Sequence, residues 1–225
     1  MVDFQIYFET MAGTHLRDAV GALRDAGSSD TLYEAELRVK DPIDEVDFSL
    51  ARDEAEGGRV LYSRRSLLFA AFAAEAYAND FLYETRRGQD REELRWLSTV
   101  DKYATLSARA GATKKLDCGR EPLQRIKWLF DRRNELVHAA PEDKDLTYDP
   151  KNHNPLLAAK CIVAVTDAAS ALFGGAEAGS VLSRALVERE RLLEYGVRAS
   201  KALPDLHATP SDQELLRPVK PRGEG

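Results

Sequence analysis

The most constraining stretch of the chain is residues 60 to 87, where Leu67, Leu68, Phe69, Phe72, Tyr77, Phe81 and Leu82 point in nearly every direction of a helical wheel. A helix with one apolar stripe can lie on a surface, but one that is apolar all round has to be enclosed by other elements. This segment is therefore expected at the centre of a helical assembly, starting at Gly57-Gly58 and closed by Gly88. Composition agrees. The chain is 44% hydrophobic and 31% charged, rich in Ala, Leu, Arg and Glu, with only 8% aromatic residues, which favours helix over sheet. At 225 residues it can bury a core without disulfide or metal staples, and the expected fold class is all-α.

Other elements follow from spacing and breakers. Ile6, Met11, Leu16, Val20 and Leu23 recur at helical steps over residues 4 to 26. Residues 31–51, around Asp41-Pro42, partly alternate, so a short hairpin, two short helices or an irregular segment all fit. Short helices are expected over "DREELRWLS" and "STVDKYATLSARAG", the second stopped by Gly111. Pro122 opens a helix that runs to about Ala140 and is ended by Pro141. Residues 141 to 155 read as a loop, followed by helices over 155 to 173 and 180 to 201. The last stretch holds four of the nine prolines and reads as a mobile tail or an arm that packs on a partner. The expected organisation is an N-terminal helix plus ambiguous segment over 1–58, an antiparallel helical bundle over 59–201 and a Pro-rich tail over 202–225.

Several function classes are disfavoured. Cys118 and Cys161 lie far apart with no C-x-x-C partner, so neither a disulfide framework nor a zinc site is indicated and a cytoplasmic setting is expected. The N-terminus has no basic region before an apolar run, and the most apolar stretch, "LLFAAFAAEAYA", is interrupted by Glu75, so no membrane association is expected. A net charge of -6 argues against a protein that coats nucleic acid through a large positive field. Locally the balance reverses, with eight basic against three acidic residues between Arg109 and Arg133. That excess suits either a phosphate-facing patch or a solvated helix face. No Gly-rich phosphate loop, metal-ligand cluster or Ser/Cys nucleophile constellation is evident, so no cofactor or metal is expected.

The helix that starts at Pro122 carries the chemistry-bearing residues. Leu123, Ile126, Leu129, Phe130 and Val137 form a stripe, and two i+4 rows, Phe130-Asn134-His138 and Leu129-Arg133-Val137, continue it through polar residues. The polar trio thus extends the apolar face instead of opposing it.

"RNELVH" at 133 to 138 resembles the R-x4-6-H signature of the HEPN superfamily, in which a polar residue, often Asn, follows the Arg. The context is similar over residues 60 to 175: an Ala-rich helix with Glu75 and Asn79 four apart ("AAFAAEAYANDFLYE"), a "DKYATL" helix, then "PLQRIKWLFDRRNELVH". The resemblance implies a helical bundle that dimerises with its motif helices across a two-fold axis. It also implies a metal-independent RNA endonuclease of a toxin-antitoxin or phage-defence system, with an antitoxin or other defence protein as a candidate partner. A non-catalytic dimer that binds RNA, nucleotide or a protein is the alternative.

The residue types suit that chemistry. Attack by an RNA 2′-hydroxyl on the adjacent phosphate needs a proton acceptor, a proton donor and a cation for the phosphoryl oxygens. His138 can be the acid or base, Arg133 the phosphate-binding cation, and Asn134, one turn before His138, can orient the imidazole or hydrogen-bond the substrate. Arg125, Lys127 and Arg132 are candidate RNA contacts, and Glu75 and Asn79 are expected as supporting neighbours. Five residues at about 100° each put Arg133 and His138 about 140° apart on one helix, so a composite site built by a homodimer is expected.

Plainer roles remain open for the same residues. His138 near a helix C-terminus can bond the last carbonyls and gain from the macrodipole. Glu75 is expected as a buried carboxylate satisfied by hydrogen bonds, with Arg133 a candidate donor; Tyr103 and Lys102 are expected as packing and surface residues, and Trp96 and Trp128 as core. His153 reads as a loop residue, while His15 and His207 have no partner identifiable from the chain.

Overall fold

The computed structural model describes residues 11–26, 45–109, 112–138, 155–174 and 180–201, with the backbone alone at 45–56, 138, 180, 181, 183 and 198–201. Among the described residues there are eight helices and no strand, so the fold class is all-α. They are α1 (11–26), α2 (Glu45–Thr85), α3 (Gly88–Leu94), α4 (Thr99–Ser107), α5 (Leu123–His138), α6 (Pro155–Phe173), α7 (Ser180–Val187) and α8 (Arg189–Lys201). The expected loop over 141 to 154, the Gly111 stop and the tail from 202 onwards lie outside the described residues.

The long apolar helix is longer than its sequence pattern predicts. α2 has 41 residues, about 60 Å of helix at 1.5 Å per residue, and runs through Gly57-Gly58 without a break. Each glycine costs a helix interior about 1 kcal/mol relative to Ala, a local penalty that helix-forming neighbours and tertiary burial override. Residues 45–51 of the ambiguous segment are therefore helical, and 31–44 lie outside the described residues. At its other end α2 stops at Thr85, whose hydroxyl donates to the Phe81 carbonyl at 2.6 Å. The chain then turns into α3 through Gly88, whose φ of +58° is a left-handed conformation that glycine adopts at little cost.

α2 shares the centre with α6. Fourteen of the 19 α6 residues are buried, and α6 packs against α2, α4, α5, α7 and α8. Its composition explains this place: "PLLAAKCIVAVTDAASALF" is apolar on all sides, and its one internal carboxylate, Asp167, pairs with Arg189 of α8 at 2.9 Å. By length and hydropathy α6 is also the one described helix that could cross a membrane, but 72% of that window is buried in the protein, and enclosure by its neighbours accounts for its apolarity.

Small residues set how closely the helices approach. Ala70, Ala71, Ala73, Ala74 and Ala78 of α2 and Ala158, Ala159, Ala168 and Ala169 of α6 are fully buried. Larger side chains fill the space around them, with Leu16, Leu23, Leu67, Leu82, Tyr103, Leu106, Leu123, Ile126, Leu129 and Ile162 fully buried. Each fully buried Leu or Ile contributes about 1.5–3 kcal/mol by area bookkeeping. α8 approaches α6 closely, since a Cβ placed on Gly196 would lie 2.8 Å from the Ala159 Cβ and 2.9 Å from the Leu156 Cα.

Hydrogen bonds from side chain to backbone dock the outer helices. The Ser66 hydroxyl donates to the Ala19 carbonyl at 2.9 Å, tying α1 to α2. The Tyr195 hydroxyl donates to the Arg24 carbonyl at 2.6 Å and Arg24 pairs with Glu188 at 3.0 Å, which holds the other end of α1. Ser98 caps α4 by accepting from the Asp101 amide at 3.2 Å, and the buried Tyr103 hydroxyl donates to the Ala74 carbonyl of α2 at 3.0 Å. The amides of Thr113 and Lys114 donate to the Ala171 carbonyl, satisfying an acceptor that the C-terminus of α6 leaves open. The single helix expected over 180 to 201 is interrupted at Glu188, where bonds from the Glu188 amide to the Arg184 carbonyl and from the Leu192 amide to the Glu188 carbonyl keep α7 and α8 linked.

The close approach at Gly196 predicts that Gly196→Ala destabilises the protein by about 1–3 kcal/mol through overpacking, read as a lower midpoint in denaturant unfolding. An unchanged midpoint would contradict that packing. A second prediction concerns the two thiols. Burial pushes the Cys161 thiol up to about 12, whereas Cys118 is exposed. Iodoacetamide at pH 8 is expected to modify Cys118 in the folded protein and to reach Cys161 only after unfolding, as checked by peptide mass spectrometry.

Candidate functional site

α5 begins where Pro122 leaves off, its first residue being Leu123. Its leading turns are core: Leu123, Ile126 and Leu129 are fully buried, and Phe130 packs partly buried against the same cluster. Its last turns are not. Arg133 is partly exposed, Asn134 is exposed, and Val137, which continues the apolar stripe, is 52% exposed. The stripe therefore leaves the core of the chain between Phe130 and Val137. His138 is the final residue of α5, and its side chain lies outside the described residues.

The Arg133 guanidinium lies over the ring of Phe72 on α2, 5.9 Å from its centroid. One of its terminal nitrogens donates to the Asn134 side-chain oxygen at 3.0 Å, so that oxygen is engaged by Arg133. The Arg133 Nε is buried and has no hydrogen-bond partner. Phe72, Glu75 and Asn79 follow one another at three- and four-residue steps on α2 and so share one face of it.

Glu75 is exposed, which corrects the expectation of a buried carboxylate. It stands instead within electrostatic reach of Lys102 on α4. Lys102 is itself buried, not a surface residue, and its ammonium donates to the Asn79 side-chain oxygen at 2.9 Å. Burial lowers the Lys102 pKa and the Glu75 carboxylate opposes that shift. Lys102 is thus a member of the site that the sequence did not single out. Its pattern, a Lys inside the short helix "TVDKYATLS", looks the same whether the side chain ends in solvent or against α2.

The candidate RNA contacts separate. Lys127 is exposed. Arg132 lies against the Trp128 ring at 5.5 Å and pairs with Glu135 at 2.7 Å. Arg125 is buried and pairs with Glu121 at 2.5 Å, so it serves the interior of this chain and is not a surface contact for a phosphate. Of the eight basic residues between Arg109 and Arg133, four have carboxylate partners: Arg109 with Asp90, Arg120 with Asp117, Arg125 with Glu121 and Arg132 with Glu135. The local positive excess is therefore smaller in space than along the chain.

Elsewhere Tyr103 and Trp128 pack as expected, but Trp96 is 79% exposed with the Arg95 guanidinium 4.6 Å from its ring, so it is not core. His153 and His207 lie outside the described residues. Among the described residues no three His, Cys, Asp or Glu side chains gather as a metal site. No family model, curated protein or solved structure matches the chain.

The pair of buried Arg125 with exposed Glu121 has a measurable neighbour. Lys160 of α6 is brought from 10.5 to about 8, first by burial and then by the Arg125 cation, with Glu121 opposing. Because the folded-state pKa is the lower one, the cost of burying the charge is full below about pH 8 and is relieved as pH rises toward 10.5. Lys160→Met is therefore expected to raise the melting temperature at pH 7, with the gain shrinking across that window. A gain that is constant with pH would show that the Lys160 charge is not buried at a cost.

Proposed function

We propose that the protein is a metal-independent RNA endonuclease of the HEPN type that acts as a homodimer. Arg133 and His138 are its reactive pair, Asn134 is their positioning neighbour, and Lys127 and Arg132 are candidate contacts along the RNA. The observation that carries this reading is the way α5 leaves the core. Its apolar stripe is fully buried at Leu129 and uncovered at Val137, and Arg133 and Asn134 lie in the turns between. An uncovered continuation of a core stripe suits an isologous contact with a second copy. Such a contact supplies what one helix lacks, since Arg133 and His138 diverge by about 140° on a single α5.

In the reaction, the 2′-hydroxyl oxygen forms a bond to the adjacent phosphorus as its proton passes to a base. The bond from phosphorus to the 5′-oxygen breaks, that oxygen takes a proton, and a 2′,3′-cyclic phosphate remains. His138 of one protomer and its two-fold equivalent are the acid and base, and the guanidinium of Arg133 neutralises the charge that builds on the phosphoryl oxygens. Glu75 and Asn79 of α2, with the Lys102 ammonium of α4 on Asn79, form a polar row on the α2 face that carries Phe72. An antitoxin or other defence-system protein that covers the α5 ends would silence the site.

The Arg133–Asn134 hydrogen bond favours a second reading, in which the same groove binds RNA, nucleotide or a protein without cutting, because the Asn134 oxygen is already engaged. One experiment separates the two. Purified protein incubated with a mixed RNA pool in EDTA is expected to cut it and leave cyclic phosphate ends, and Arg133→Ala and His138→Ala are each expected to cut at least about 100-fold more slowly. Intact RNA with wild type, or undiminished cutting by both variants, would leave the binding module. Light scattering at micromolar concentration is expected to give the mass of a dimer.

A further inference from the structure

His15 of α1 and Arg133 of α5 are 118 positions apart in the chain, yet both rest against Phe72. The His15 ring centroid is 5.6 Å from that of Phe72, tilted by 53°, and 6.2 Å from that of Phe69, nearly parallel to it. Phe69 and Phe72 meet edge to face at 6.3 Å, so α2 presents a two-ring aromatic step with an imidazole and a guanidinium laid on it.

Each of these two polar groups carries an unsatisfied nitrogen. His15 Nδ1 is buried without a hydrogen-bond partner, and so is Arg133 Nε. Leaving a buried polar atom unpaired costs about 1–3 kcal/mol. As a packing residue His15 is a poor choice, because a third Phe would stack on Phe69 and Phe72 with no orphaned nitrogen. His15 as a residue is only partly buried. With Nδ1 sealed among the rings, Nε2 is the edge left to meet solvent or a ligand.

The kind of ligand follows from the hydrogens on offer. The guanidinium has only donors, and the Nε2 of an imidazole can carry the N–H whenever Nδ1 has no acceptor to bond. Two donors over an aromatic step, one of them cationic, select an anion with several oxygens. We propose that His15 and Arg133 together form a phosphate-binding site that seats the phosphodiester backbone of single-stranded RNA as it crosses Phe72. His15 donates from Nε2 to a phosphate oxygen, Arg133 supplies the positive charge, and α1 thereby becomes part of the substrate channel. This assignment rests on the ribonuclease reading for the identity of the strand, but not for the chemistry of the site.

The test uses a fluorescein-labelled 2′-O-methyl RNA oligonucleotide, which keeps the phosphates and has no hydroxyl to attack, with binding read by anisotropy on the full chain. His15→Phe is expected to weaken binding about tenfold, the worth of one charge-assisted hydrogen bond, while melting at or above the wild-type temperature. Arg133→Gln is expected to weaken binding at least as much, and His15→Gln, which keeps an N–H donor, to remain within about threefold of wild type. Wild-type affinity in His15→Phe overturns the proposal, as does equal weakening by His15→Phe and His15→Gln, which would mark packing as the cause. No binding by the wild type overturns it as well. Cleavage is scored separately in EDTA. Binding lost in His15→Phe with RNA left uncut by the wild type keeps the phosphate site and discards the ribonuclease. Cutting that depends on Arg133 but with full affinity in His15→Phe does the reverse.

Discussion

The packing of α2 on α6 is the constraint from which the rest of the structure follows. α6 is too apolar to face water, α2 is apolar on the side that packs on it, and both carry alanines where they are most enclosed, so their axes can approach while larger side chains close the space around them. Once that pair is set, α4, α5, α7 and α8 have one helix, α6, to cover, and α8 comes so close that Gly196 has no room for a Cβ beside Ala159. The hydrogen bonds of Ser66, Tyr103 and Thr113 then fix outer elements to α2 and α6 backbone or to α1.

The candidate site is a by-product of how far that packing reaches. α5 is held by Leu123, Ile126 and Leu129, and its last two turns extend past the core, which is why a stripe that starts as interior ends as surface. The same arrangement brings three helices to one aromatic step: α1 through His15, α2 through Phe69 and Phe72, and α5 through Arg133. One turn further along α2, Glu75 and Asn79 meet Lys102 of α4, so the polar face of the central helix is lined with groups drawn from its neighbours. Charge is placed in a similar way. Arg125 is buried next to Lys160 and reaches Glu121 at the surface, and Lys127, two residues on, faces out.

Much of the helical layout was legible in the chain because periodicity and breakers are local. α6 matches its expected limits, α3 and α4 fall where the short helices were expected, and α5 starts one residue after Pro122. The failures have a common cause. Gly57-Gly58 should weaken a helix, but propensity is a small term and α2 runs through them, and Val60 to Arg87 shares the centre with α6, whose own apolarity was equally visible. Trp96 and Glu75 were placed on the wrong side of the surface, since a side chain's identity does not report which way its helix is turned.

The sequence by itself determined that the chain is helical, which segments are most apolar, and that Arg133, Asn134 and His138 continue the stripe of α5. Those properties depend on residue type and on spacing within one or two helical turns. Only the tertiary structure decided that the stripe emerges from the core at Arg133, that Lys102 turns inward to Asn79 while Glu75 faces out, and that His15 lies on the ring beneath Arg133. Contacts between helices depend on their rotation and offset. The summed packing of the whole core sets both, and no short stretch of sequence records them.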